Sequence, residues 1–208
     1  MAGTAAPGAC AAADAAANAE IARILGVAAV QTERRVALVH CCGDRTRAIR
    51  VGDYNGLADC SAAAAVAGGD KGCRYGCLGY GACANVCPKH AISIVDGLAK
   101  VDKRLCIGCG KCVAACPRRI IELVPASATV HVLCNNPRRG PEVRKVCQTG
   151  CMGCHLCEKN SGGKEAGHFT FEGFLAKVNY ANPCNDAALV AKCPAKCIAE
   201  DPHFETGH

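Results

Sequence analysis

One stretch constrains this chain more than any other: Cys106-Ile-Gly-Cys109-Gly-Lys-Cys112-Val-Ala-Ala-Cys116-Pro117. Its C-x2-C-x2-C-x3-C-P spacing is the one by which a polypeptide wraps four-iron clusters. Three cysteines two residues apart form a tight loop around three irons of one cubane. Gly108 and Gly110 admit unusual backbone angles and bring amide N–H groups to the sulfurs. Cys116 lies on the following helical turn and points toward a second cluster, and Pro117 redirects the chain. Structural zinc is the weaker reading of the same residues.

The partner group lies upstream, as Cys73-x3-Cys77-x5-Cys83-x3-Cys87-Pro88. Its loop is stretched, but it ends in the same x3-Cys-Pro. Exchange of the fourth ligand between two clusters then predicts one set of Cys73, Cys77, Cys83 and Cys116, and another of Cys106, Cys109, Cys112 and Cys87. A third loop, Cys151-Met-Gly-Cys154-His-Leu-Cys157, has Ser161 at its own fourth position. Downstream, Cys184 and Cys193-Pro194 survive, with Ala187 and Val190 near the inner positions. This module is expected to hold one cluster, on Cys151, Cys154, Cys157 and Cys193.

A fourth cluster is expected if Cys41, Cys60, Cys134 and Cys147 converge. Cys41 and Cys134 each follow an apolar run, Val-Ala-Leu-Val-His and Val-His-Val-Leu. If those strands were parallel neighbours, both sulfurs would leave the same sheet edge. Cys60 falls in the first turn of a helix over 57–67, where amide N–H groups favour a thiolate. Cys42 could replace Cys41. The bland alternative is a set of buried thiols.

Composition agrees with metal-supported folding. The 208 residues include 20 Cys, no Trp and 4% aromatic residues, so ordinary core-builders are scarce. The net charge of +6 counts every Cys as neutral. Three clusters at about −2 each would bring it near zero. With no basic–aromatic patch, nucleic acid is not an expected partner. A zinc-stabilised interaction or nucleic-acid-binding protein is the alternative of a different class. No secretory signal and no run of ~20 apolar residues is visible, which predicts a cytoplasmic chain without a direct membrane span.

The fold class expected is α+β. A low-complexity tail occupies 1–20, and a strand–helix element occupies 21–70. A two-cluster module spans 71–125. A strand–helix linker over 126–146 is expected to pack on the N-terminal element. A degenerate one-cluster module spans 147–200, and a tail spans 201–208. The two modules repeat one pattern: Ile92-Ser-Ile-Val-Asp-Gly-Leu-Ala-Lys-Val101 and Phe169-Thr-Phe-Glu-Gly-Phe-Leu-Ala-Lys-Val178 are both hairpin signals. Each lies between a cysteine loop and a downstream Cys-Pro.

Four segments together resemble a known family. They are Val36-Ala-Leu-Val-His-Cys41, Tyr54-Asn-Gly-Leu-Ala-Asp-Cys60, Cys73-Arg-Tyr-Gly-Cys-Leu-Gly-Tyr-Gly-Ala-Cys83 and Cys151-Met-Gly-Cys-His-Leu-Cys-Glu-Lys159. With Cys106 to Pro125, they are similar to the B subunit of the Rnf complex, in its longer form. The resemblance implies ferredoxin-like modules and a multi-cluster electron relay, rather than an enzyme acting alone. It implies ferredoxin or another redox protein as partner, inside an oxidoreductase complex on the inner face of the cell membrane. Family members begin with a membrane helix and a further cluster domain. This chain is expected to lack both, with Pro7-Gly-Ala-Cys10 as a remnant.

Overall fold

The computed structural model describes residues 15–27 and 33–201. The Pro7–Cys10 reading and the tail beyond residue 201 lie outside the described residues. Helix α1 (Ala15–Leu25) precedes strand β1 (Arg35–Val39). Then come α2 (Cys60–Ala65), α3 (Ala82–Asn85), β2 (Ile92–Val95), β3 (Leu98–Val101), α4 (Lys111–Ala115) and β4 (Ile121–Pro125). The remainder runs β5 (Val130–Val132), α5 (Gly140–Arg144), α6 (Leu156–Asn160), α7 (Gly163–Ala166), β6 (Phe169–Glu172), β7 (Leu175–Val178), α8 (Ala188–Lys192) and β8 (Ile198–Glu200). The architecture is mixed α+β. Among the described residues, no helix is long and apolar enough to cross a membrane.

Both expected hairpins form, and each turn suits its residues. β2 and β3 close on Asp96-Gly97 with Val95 opposite Leu98, both turn residues having positive φ. That is a type I′ turn, for which Asp-Gly is favoured. β6 and β7 close on Gly173-Phe174 with Glu172 opposite Leu175, and there only Gly173 is left-handed. Glycine at the first position suits type II′.

The strands outside the hairpins pair differently from expectation. β1 lies antiparallel to β4, with Arg35 opposite Pro125 and Val39 opposite Ile121. β5 lies antiparallel to β8, with Val130 opposite Glu200. The strand near 129–133 is therefore not the hydrogen-bonded neighbour of β1, and the two are not a parallel pair. Each hairpin instead has its own outer pair, β1·β4 for β2·β3 and β5·β8 for β6·β7. This draws β1 into the first module and β5 into the second, across the boundaries expected at 71 and 147.

β1 also joins the two halves. Successive side chains of a strand point to opposite faces. Val36 and Leu38, both at most 2% exposed, enter a core with Val124, Val130, Val132, Phe169 and Leu175. Ala37 and Val39 enter the other core with Ile92, Leu98, Val101 and Ile121. The β1·β4 ribbon is thus a wall shared by both modules. Burying Val36, Leu38 and Val124 stabilises this seam by ~1.5–3 kcal/mol per side chain. The supporting elements are slight: among the described residues every sheet has two strands, and every helix after α1 has four to six residues. Such pieces are marginal alone, so packing between them, rather than any single element, carries the fold.

Candidate metal centres

Of the 19 described cysteines, all but Cys184 line one of four cavities. Cys184 packs at the margin of the second module's core. Each cavity is small, about 20 Å³. Among the described residues, no three His, Cys, Asp or Glu side chains close tightly enough on one point to bind a single ion. The sulfurs instead surround a small shared space in each case.

The first cavity is lined by Cys60, Cys77, Cys83 and Cys116. Cys60, not Cys73, completes this ring. The reason is visible in the loop. Cys77-x2-Tyr80-x2-Cys83-x3-Cys87-Pro88 has the C-x2-C-x2-C-x3-C-P spacing with tyrosine at the second position. Cys60 comes in from α2 to fill that gap. Asp59 caps α2 by accepting from the Ser61 and Ala62 amides at 2.8 and 3.0 Å. Cys60 and Ala63 then pack on Leu78 and Ala82. Tyr80 stacks edge-on against Tyr54 with ring centroids 5.3 Å apart, and its hydroxyl donates to Asp70 at 2.7 Å.

The second cavity gathers Cys87, Cys106, Cys109 and Cys112, the set expected from ligand exchange. The third gathers Cys151, Cys154, Cys157 and Cys193, with Cys197 as a fifth thiol. Cys197 Sγ lies 3.7 Å from Cys193 Sγ. The hydrogen bond from Cys197 holds the Cys193 thiol down to about 5 and the Cys151 thiol down to about 6.

The fourth cavity contains Cys41, Cys42, Cys73, Cys134 and Cys147. Cys41 and Cys134 meet although β1 and β5 are not paired, because His40 at the end of β1 donates from Nδ1 to Val132 O in β5 at 2.9 Å. Cys147 closes the turn after α5. Cys73 takes the place that the sequence pattern suggested for Cys60. Cys42 turns aside to Thr149, 3.3 Å from its hydroxyl.

The three cysteine loops share one backbone design. The residues flanking the middle position are left-handed in each: Gly79 and Gly81, Gly108 and Gly110, Gly153 and His155. At Gly79 glycine is obligatory, since a Cβ there would lie 2.6 Å from the Gly97 carbonyl carbon in the hairpin turn. At Gly153 a Cβ would lie 2.7 Å from Phe174 O in the other hairpin turn. His155 tolerates φ of +58° while its ring stacks on Phe171 at 3.8 Å.

Several donors point at these sulfurs. The amides of Ala37, Cys77 and Ala91 donate to Cys106, Cys41 and Cys87 Sγ at 3.3, 3.4 and 3.3 Å. Asn136 Nδ2 lies 3.6 Å from Cys73 Sγ. The buried Arg118 Nε, on a residue that lines the first cavity, has no hydrogen-bond partner among the described residues. An orphaned donor on a residue of that wall fits a group with further acceptor sulfur, which an iron–sulfur cluster supplies. Burial pushes the Cys83 and Cys134 thiols up to about 12, and Cys77 and Cys112 to about 11. These groups become thiolates when a metal displaces the proton.

Comparison with known proteins agrees with this chemistry. Residues 73–127 match the LdpA Fe-S cluster-binding domain. The chain is 40% identical over 180 residues to the B subunit of the ion-translocating oxidoreductase complex of Methanosarcina acetivorans, covering 86% of this chain and 67% of that protein. It is 40% identical over 195 residues to the B subunit of the proton-translocating ferredoxin:NAD(+) oxidoreductase complex of Clostridium ljungdahlii, covering 92% and 68%. It is 42% identical over 203 residues to the B subunit of the Na(+)-translocating ferredoxin:NAD(+) oxidoreductase complex of Acetobacterium woodii, covering 97% of this chain and 60% of that protein. The chain therefore belongs to the B-subunit family of Rnf-type ion-translocating oxidoreductase complexes, whose role is iron–sulfur electron transfer.

Proposed function

We propose that this chain holds four 4Fe-4S clusters and passes electrons between ferredoxin and the other subunits of an Rnf-type complex. The carrying observation is that four separate cavities each present at least four cysteines, with amide donors at their sulfurs. The ligand sets are Cys60, Cys77, Cys83 and Cys116; Cys87, Cys106, Cys109 and Cys112; Cys41, Cys73, Cys134 and Cys147; and Cys151, Cys154, Cys157 and Cys193. Bound there, the clusters supply one-electron exchange, and the protein supplies position, hydrogen bonds and dielectric.

Adjacency of the sulfurs supports one order of sites. The second and first sets share the segments Cys83 to Cys87 and Cys112 to Cys116. The first set touches the Cys41 set where the Cys77 amide meets Cys41 Sγ. The Cys41 set adjoins the last where the Cys151 amide donates to Cys134. Cys109 and Cys154, at the two ends of this order, are exposed. They are the points where donor and acceptor proteins would dock. Ferredoxin as partner follows from the names of two relatives, and attachment to the inner face of the membrane runs through partner subunits.

Anaerobic titration of the purified full chain with reduced ferredoxin tests this reading. The expected result is bleaching of a broad visible absorption, with uptake of about four electrons, one per cubane. A colourless, zinc-containing protein that accepts no electrons would overturn it.

A further inference from the structure

Resting on the four-cluster reading, we infer that Lys71 is the built-in counter-charge of the Cys41–Cys73–Cys134–Cys147 centre and sets its potential above that of an otherwise equal centre. Lys71 is 7% exposed and lines that cavity. Its Nζ donates to Gly43 O at 2.6 Å. Its stem and one sulfur of the centre flank the same glycine: a Cβ placed on Gly76 would lie 3.5 Å from Lys71 Cδ and 3.6 Å from Cys41 Sγ. The backbone at Lys71 is fixed by an antiparallel bridge to Arg50. Bonds from Val51 N to Asp70 O and from Gly72 N to Ile49 O, both 2.8 Å, flank that bridge.

A buried ammonium is costly unless an opposite charge accompanies it. Asp70, next in sequence, is already engaged by Arg50 and by the Tyr80 hydroxyl. Among the described residues, none of the Asp or Glu ion pairs includes Lys71. A single carbonyl leaves two of its three N–H donors to be met elsewhere. The remaining negative charge in this cavity is that of cysteine thiolates and the cluster they hold. The sign follows directly. A fixed positive charge stabilises the reduced state, which carries one more negative charge, so it raises the midpoint potential.

The test is an EPR-monitored potentiometric titration of the reconstituted full chain, beside Lys71→Met and Lys71→Arg. Lys71→Met is expected to move this centre's midpoint to lower potential. At a fixed potential its oxidised-to-reduced ratio should rise at least tenfold, which is about 59 mV for one electron. Lys71→Arg should stay within threefold. An unshifted midpoint in Lys71→Met with full iron would overturn the inference. If Lys71→Met instead loses four irons, retention in Lys71→Arg supports a need for charge, and loss in both overturns it. A wild-type chain whose iron does not fall on Cys147→Ser holds no such centre. That result would sink the four-cluster reading, whereas full iron with an unmoved midpoint would sink only the role of Lys71.

Discussion

Cys60→Ala and Cys73→Ala should each remove one centre, and pairing them with Cys116→Ala tells which. Cys60 and Cys116 line one cavity, whereas Cys73 lines another. Each centre carries four irons, so each single change takes a loaded chain from about 16 to about 12. Changes within one centre do not add, and changes in separate centres do. Cys60→Ala with Cys116→Ala should therefore hold at about 12, while Cys73→Ala with Cys116→Ala falls to about 8. The assay is iron and acid-labile sulfide analysis after anaerobic reconstitution of the full chain. EPR of the surviving centres serves as the internal control for folding. The opposite pattern, with the Cys73 pair near 12 and the Cys60 pair near 8, would restore the ligand set expected from the cysteine spacing and refute the geometric assignment.

Two further outcomes follow from local geometry. Gly79→Ala should cost about 3 kcal/mol or more, read as a lower melting temperature of the loaded protein. About 1–2 kcal/mol of this comes from the left-handed φ and the rest from moving the Gly97 turn, whereas Gly26→Ala, with nothing within 4 Å, should show only the backbone part. Cys193→Ala should lose about four irons and Cys197→Ala none. Iron kept in Cys193→Ala but lost in the double variant would transfer the ligand role to Cys197, which lies 3.7 Å away.

Local signals were legible in the chain, and distant pairings were not. Asp96-Gly97 and Gly173-Phe174 are turn chemistry, and their hairpins form where the alternation places them. The loop 106–116 places four cysteines within eleven residues, so its spacing alone marks them as candidate ligands. β1 reads as a strand from Arg35 to His40, but its partner β4 lies beyond a whole cysteine module, and no periodicity encodes that distance. β8 is three residues long and leaves almost no pattern. The regrouping of Cys60 and Cys73 had a signal. Counting back from Cys87-Pro88 puts Tyr80 at a ligand position and Cys77 at the first one, which leaves a gap in the set and places Cys73 four residues ahead of the loop. Filling that gap needs the capped helix α2 and its contact with Leu78. Lys71 leaves no mark in the sequence pattern, because burial beside sulfur is a property of packing.

Four cubane centres in one chain fix its metal content. Iron and acid-labile sulfide per chain, measured on fully reconstituted protein under anaerobic conditions, are expected at about 16 of each, falling to about 12 in Cys147→Ala. A fully loaded chain with about 12 of each, unchanged by Cys147→Ala, would contradict four centres.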